Sequence, residues 1–100
     1  MTKKELKALE NKKLHQWFID EIWNKRPHYS ELSSTWLGKF PNKCMFHHLY
    51  EKSKYPDLKY EPENIIMITA QEHYEITNGL IPNKLKIIMK IKAKKFGIPA

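Results

Sequence analysis

The sequence predicts an α+β domain, and three observations carry that reading. Leu6, Leu9, Leu14, Trp17, Phe18 and Ile22 recur at about 3.6 residues, the period of an amphipathic helix. Cys44-Met45-Phe46-His47-His48-Leu49 and Asn64-Ile65-Ile66-Met67-Ile68-Thr69 are short apolar runs of strand length, the second rich in β-branched side chains. Thr69 and Glu72 stand directly after the second run at capping-box spacing, so a helix begins there.

In chain order, the first helix covers residues 2–25, opened by a capping box of Thr2 and Glu5 and ended by Pro27. From His28 to Lys43 the pattern is irregular, with Ser33-Ser34-Thr35, Gly38 and Pro41 as breakers. This connection is expected to carry Trp36, Leu37 and Phe40 into the core. The run 44–49 supplies one strand and the polar, proline-containing stretch 50–63 a surface loop. The run 64–69 then supplies a second strand, antiparallel to the first. The following helix holds His73 in or just beyond its first turn and stops at Asn78-Gly79. Pro82 suits the first position of a last helix over 82–96, ended by Gly97 and Pro99. Its apolar face is Ile81, Leu85, Ile88 and Ile91 or Met89.

One hundred residues hold one core, so residues 1–100 read as a single domain and a large multi-pocket enzyme is excluded. No stretch approaches the roughly 18 consecutive apolar residues of a membrane span. The N-terminus lacks the apolar segment of a secretory signal, so the expected location is cytoplasmic. Cys44, the single cysteine, has no disulfide partner and cannot alone build a zinc site. It reads as a buried apolar residue rather than a nucleophile. Eighteen basic against 11 acidic residues give a net charge of +7, which points to a polyanionic partner. All the cations but Arg26 are lysines, which favour point-charge contacts with phosphates over reading of base edges. Lys84, Lys86, Lys90, Lys92, Lys94 and Lys95 follow Glu75 with no further acidic residue. A helix carrying them suits a phosphate backbone, and also an anionic membrane surface or an acidic protein.

Three of the five histidines fall in the strand, loop, strand, helix unit: His47 and His48 on the first strand and His73 on the helix, with Asn64 opening the second strand. Hydrolysis of a phosphodiester needs a base to activate water, a cation to neutralise the phosphoryl oxygens and leaving alkoxide, and groups that fix both. Two imidazoles, a third nearby and an Asn can supply them. Neighbouring side chains on a flat strand point to opposite faces, so convergence of His47 and His48 requires a twist or bulge at the strand end.

His47-His48-Leu49, Lys52-Ser53-Lys54-Tyr55-Pro56-Asp57-Leu58, Glu63-Asn64-Ile65-Ile66 and Glu72-His73 together resemble the signature of the HNH endonucleases, particularly those of small phage and bacterial proteins. The resemblance covers residues 28–78. It implies a ββα-metal (His-Me finger) core, flanked here by the N-terminal amphipathic helix and the basic C-terminal helix. It also implies hydrolysis of DNA with one divalent ion. On this chain His48 would be the general base, His47 and His73 the metal ligands, and Asn64 the residue that orients the His48 region. Arg26, Lys52, Lys54, Lys84, Lys92 and Lys95 are candidates for contact with nucleic acid. A non-catalytic basic DNA-binding module on the same scaffold is the alternative. Many members brace the hairpin with zinc-binding cysteine pairs. Here Ser30 and Ser33 lie where the first pair would fall, so no structural zinc is expected, and packing of Trp17, Trp23, Trp36 and Phe40 is expected in its place. His47 stands where many members have Asp. Mg²⁺ is the expected ion, and this softer ligand admits Mn²⁺, Co²⁺ or Ni²⁺.

Overall fold

The computed structural model describes residues 1–99. Its elements are α1 (Lys3–Glu21), β1 (Phe46–His48), β2 (Ile65–Met67), α2 (Ala70–Thr77) and α3 (Asn83–Phe96). Short 3-10 turns lie at Trp23–Lys25, Lys43–Met45, Pro56–Leu58 and Pro62–Asn64. The fold is α+β, with three helices and one two-stranded antiparallel sheet.

Both capping boxes form. Thr2 and Thr69 each accept the N–H of the residue three further on, and Glu5 and Glu72 reach back to the cap N–H. Helix α1 ends at Glu21 rather than 25, because Trp23–Lys25 tighten into a 3-10 turn ahead of Pro27. Its amphipathic character is confined to the C-terminal half. Residues 1–13 are all exposed, Leu6 and Leu9 at 51% and 52%, and burial begins at Leu14.

The sheet separates two apolar clusters. Opposed residues share a face, and the register pairs Phe46 with Met67, His47 with Ile66 and His48 with Ile65. Phe46, Ile65 and Met67 pack on Leu14, Phe18, Ile22, Trp23 and Leu37, with the Phe18 and Phe46 rings stacked at 4.8 Å. On the other face Ile66 joins Leu49, Ile68 and Leu85, supported by Leu32, Ile76, Ile88 and Met89. Helices cover both faces, so β2 is buried throughout and its sequence does not alternate.

The outer edge of β2 is closed by polar groups rather than another strand. Glu31 donates its N–H to the Met67 carbonyl (2.8 Å) and accepts the Met67 N–H on its carboxylate (2.6 Å). Arg26 bonds the Glu31 carboxylate (3.0 Å) and the carbonyls of Ile65 (2.6 Å) and Pro62 (2.7 Å). Next to it Ser30 donates to Glu72 at 2.6 Å and accepts the N–H groups of Leu32 and Ser33. Burial alone would raise the Glu72 carboxyl, but the Ser30 and Thr69 hydrogen bonds outweigh it and hold the group below its usual range.

Several sequence expectations need correction. Leu37 enters the core, but Trp36 and Phe40 are 54% and 81% exposed. Trp36 bridges to Tyr29 in extended backbone, so alternation sends its side chain away from Leu37. Phe40 follows the turn at Gly38 (φ 95°) into solvent. Of the four aromatics expected to brace the hairpin, only Trp23 is buried and Trp17 partly so; Arg26 and Glu31 bond the β2 backbone directly. Cys44 is half-buried in a 3-10 turn, not in a strand. Asn64 closes a 3-10 turn and β2 starts one residue later. Pro82 caps α3 from outside it, and Gly97 ends it with φ 70°. Helix α3 docks through Leu85, Ile88, Met89 and Ala93, while Ile81 and Ile91 stay exposed. Among the described residues no helix is long and apolar enough to cross a membrane.

Because Arg26 satisfies two carbonyls and a carboxylate at once, Arg26→Ala is expected to destabilise the fold by about 2 kcal/mol or more. Lys84→Ala, at an exposed position, should change stability by under about 0.5 kcal/mol. Urea denaturation of the two variants checks this, and equal midpoints would show that the network carries little stability.

Candidate active site

The structure brings His47 and His73 together. His47 pairs with Ile66 and faces the α2 side of the sheet, where the cap at Thr69 sets His73 one turn into α2. The two rings lie 5.7 Å apart at 90°. His48, the next residue, faces the other way and packs edge-on to Phe18 of α1 at 5.6 Å. The bulge expected to bring the two adjacent histidines to one side is absent: the register is regular and His48 is simply the last residue of β1.

A cleft of about 320 Å³ lies between α1, α2 and the segments that flank β1. Asn11, Leu14, His15 and Phe18 line it from α1, Lys43 and Cys44 from the turn before β1, Lys52 from the loop after it, and His73 from α2. Neither strand contributes a lining residue, so His73 is the only one of His47, His48 and His73 that lines the cleft itself. His47 reaches it through His73, and His48 through Phe18.

His48 Nε2 lies 3.0 Å from the Lys59 carbonyl. A carbonyl only accepts, so Nε2 carries the hydrogen and the neutral ring keeps Nδ1 as its free base. Burial lowers the His48 pKa, the Lys59 hydrogen bond opposes that, and the charges of Lys52 and Lys59 lower it further. His47 is pushed down to about 4 by burial first, then by the charges of His73 and His48. In both rings burial is the largest cause and favours the uncharged form.

Asn64 holds the loop that holds His48. Its fully buried amide accepts the Tyr50 N–H (2.9 Å) and donates to the carbonyls of Tyr50 (3.0 Å) and Leu58 (3.1 Å). Leu58 adjoins Lys59, so Asn64 fixes the backbone that anchors the imidazole.

The expected nucleic-acid contacts are dispersed. Lys52 lines the cleft and Lys54 is exposed in the same loop. Arg26 is turned inward on the β2 edge, where its hydrogen bonds are to the protein itself. Lys92 and Lys95 both bond Glu63, at 2.5 and 2.9 Å, and hold its carboxyl down at about 2. Lys84 is exposed beside a separate groove lined by Leu32, Ile76 and Leu80. None of Arg26, Lys84, Lys92 or Lys95 lines the histidine cleft. His28 also belongs to the fold, stacked on Trp23 at 3.6 Å with its Nε2 on the Trp23 carbonyl.

Sequence reasoning missed His15, which lies 32 positions before His47 but shares the cleft with His73. Its signal was a polar ring beside Leu14 and three residues before Phe18, on the buried stripe of α1. Among the described residues no group of three or more His, Cys, Asp or Glu side chains is assembled to hold a metal. No protein-family model, curated protein or solved structure matches the chain.

The lowered His47 pKa fixes a pH dependence. As pH falls, the unfolded chain protonates this residue near 6.5 while the folded ring resists to about 4. The unfolded state binds more protons in that window, so stability is full above pH 6.5 and declines toward pH 4, by up to about 3 kcal/mol. Urea denaturation at pH 7 and pH 4.5 should show the loss, and His47→Gln should remove much of it. An unchanged pH dependence in His47→Gln would place the effect on other groups.

Proposed function

We propose that the protein is a metal-dependent endonuclease that hydrolyses DNA phosphodiester bonds on a ββα-metal core of the HNH type. The observation that carries this reading is the meeting of the His47 and His73 rings, 5.7 Å apart, on one face of the strand whose last residue is the anchored His48. An ion about 2.1 Å from one nitrogen of each ring would lie about 3 Å from each ring centre. Two rings 5.7 Å apart are within that span. Both ligands are imidazoles, and His47 needs no deprotonation to bind, so the donor set fits a divalent ion, with Mn²⁺, Co²⁺ or Ni²⁺ held more tightly than Mg²⁺.

A bound ion would supply charge neutralisation for the phosphoryl oxygens and leaving alkoxide. Within the chain, His48 takes a proton from water at Nδ1, the nitrogen its Lys59 bond leaves free. Asn64 keeps that ring oriented through Leu58 and Tyr50. Lys52 and Lys43, on the cleft wall, attract the phosphate.

One observation favours a second reading: His47 and His48 occupy opposite faces of β1, which suits a non-catalytic, basic DNA-binding module on the same scaffold. Supercoiled plasmid incubated with the protein and Mg²⁺, Mn²⁺ or EDTA separates the two. Metal-dependent nicking or linearisation is expected, reduced about 10² to 10⁴ fold in His48→Ala with the fold retained by circular dichroism. Intact plasmid in every metal, with DNA still bound, would replace the endonuclease by the binding module.

A further inference from the structure

Helix α1 presents its charge in an order that composition alone does not reveal. Asn11, Leu14, His15 and Phe18 form the face of α1 that lines the cleft. At 100° per residue, Lys4 and Lys7 fall within about 40° of Asn11 on that face, whereas Glu5 and Glu10 lie about 100° or more away. Residues 1–13 are exposed, so this basic extension of the cleft wall has no partner within the described residues. Lys4 stands roughly 16 Å along the helix from His15, enough to pass several phosphates of a nucleic-acid strand. Lys43 and Lys52 continue the same positive lining across the cleft.

The histidines provide an independent observation. His28 and His48 are held by backbone carbonyls, but His15 and His73 each keep a buried Nδ1 without a hydrogen-bond partner. These two rings are the pair that line the cleft. A buried polar atom left unpaired costs free energy that a bound group can recover by reorienting the ring.

We propose that the cleft face of α1, from Lys4 and Lys7 through Asn11 to His15, is the track along which the phosphate backbone of DNA enters the histidine cleft. His15 is then a substrate-contacting residue on the α1 wall of the cleft that His73 lines from α2. This rests on the nuclease reading for its destination but not for its measurement. Helix α3, the more lysine-rich by count, is not the track: Lys92 and Lys95 are engaged by Glu63, and no α3 residue lines the cleft.

The test is binding of a short fluorescein-labelled DNA duplex in EDTA, followed by anisotropy over a salt series. The paired substitution Lys4→Ala and Lys7→Ala should weaken binding about tenfold at low salt and flatten the salt slope by about 2. The exposed α3 pair Lys86→Ala and Lys90→Ala should bind as the unaltered protein does. In the unaltered protein, the imidazole resonances of His15 should shift on DNA titration while those of His28 stay fixed, a readout that needs no variant to fold. Loss confined to the α3 pair, an unmoved His15, or capture by anionic vesicles without DNA binding would overturn the proposal. Intact plasmid together with α1-dependent binding would uphold the track and sink the nuclease; cleavage with α1-independent binding would do the reverse.

Discussion

The arrangement of the site depends on one buried amide. Asn64 is fully buried, yet its side chain and backbone polar groups are paired: the amide with Tyr50 and Leu58, its N–H with Glu61 and its carbonyl with Leu49. A satisfied polar group in the interior specifies position more sharply than an apolar one, because any displacement leaves several partners unmet. Here it closes the long connection between the strands, whose ends would otherwise have to be held by three residues of ladder on each side. The consequence reaches the site through two peptide units: Asn64 holds Leu58, Leu58 carries Lys59, and Lys59 holds His48.

A hairpin this short has no independent stability, and its surroundings supply what it lacks. Apolar side chains cover its faces, one cluster anchored on α1 and the other on α3. Its two edges are treated differently. Glu31 and Arg26 take up the outward-pointing groups of Ile65 and Met67, so β2 offers nothing to a further strand. The segments that flank β1 instead line the cleft, together with α1 and α2.

What the sequence disclosed follows the range of the forces involved. The capping boxes at Thr2 and Thr69 act over three residues, and both were legible. The strand pair was legible from β-branched content and from its position between turn signals. Direction was not: apolarity alone could not say that Leu37 turns inward while Trp36 and Phe40 turn out. Nor could periodicity show that α1 leaves the body before Leu14, since Leu6 and Leu9 keep the period without a surface to cover. The bonds that Arg26, Glu31 and Ser30 make to Pro62, Met67 and Glu72 were invisible because they span 36 to 42 residues. At the site, the resemblance named His47 and His73, whose rings do meet, but the expected convergence of His47 and His48 fails, because the regular register keeps the alternation that sends His48 to the other face.

Counting residues treats the histidines as five equals and the lysines as a uniform charge, and the structure distinguishes them by what each atom already touches. Glu63 occupies Lys92 and Lys95, so the terminal helix contributes less free charge than its composition suggests. A ring donating Nε2–H to a carbonyl has its tautomer chosen, as in His28 and His48, and retains one basic nitrogen. A ring whose Nδ1 is buried without a partner has no such constraint, and the cleft is lined by the two of that kind. The difference between these two kinds of histidine follows from which backbone carbonyls lie within reach of each ring rather than from the side chains themselves.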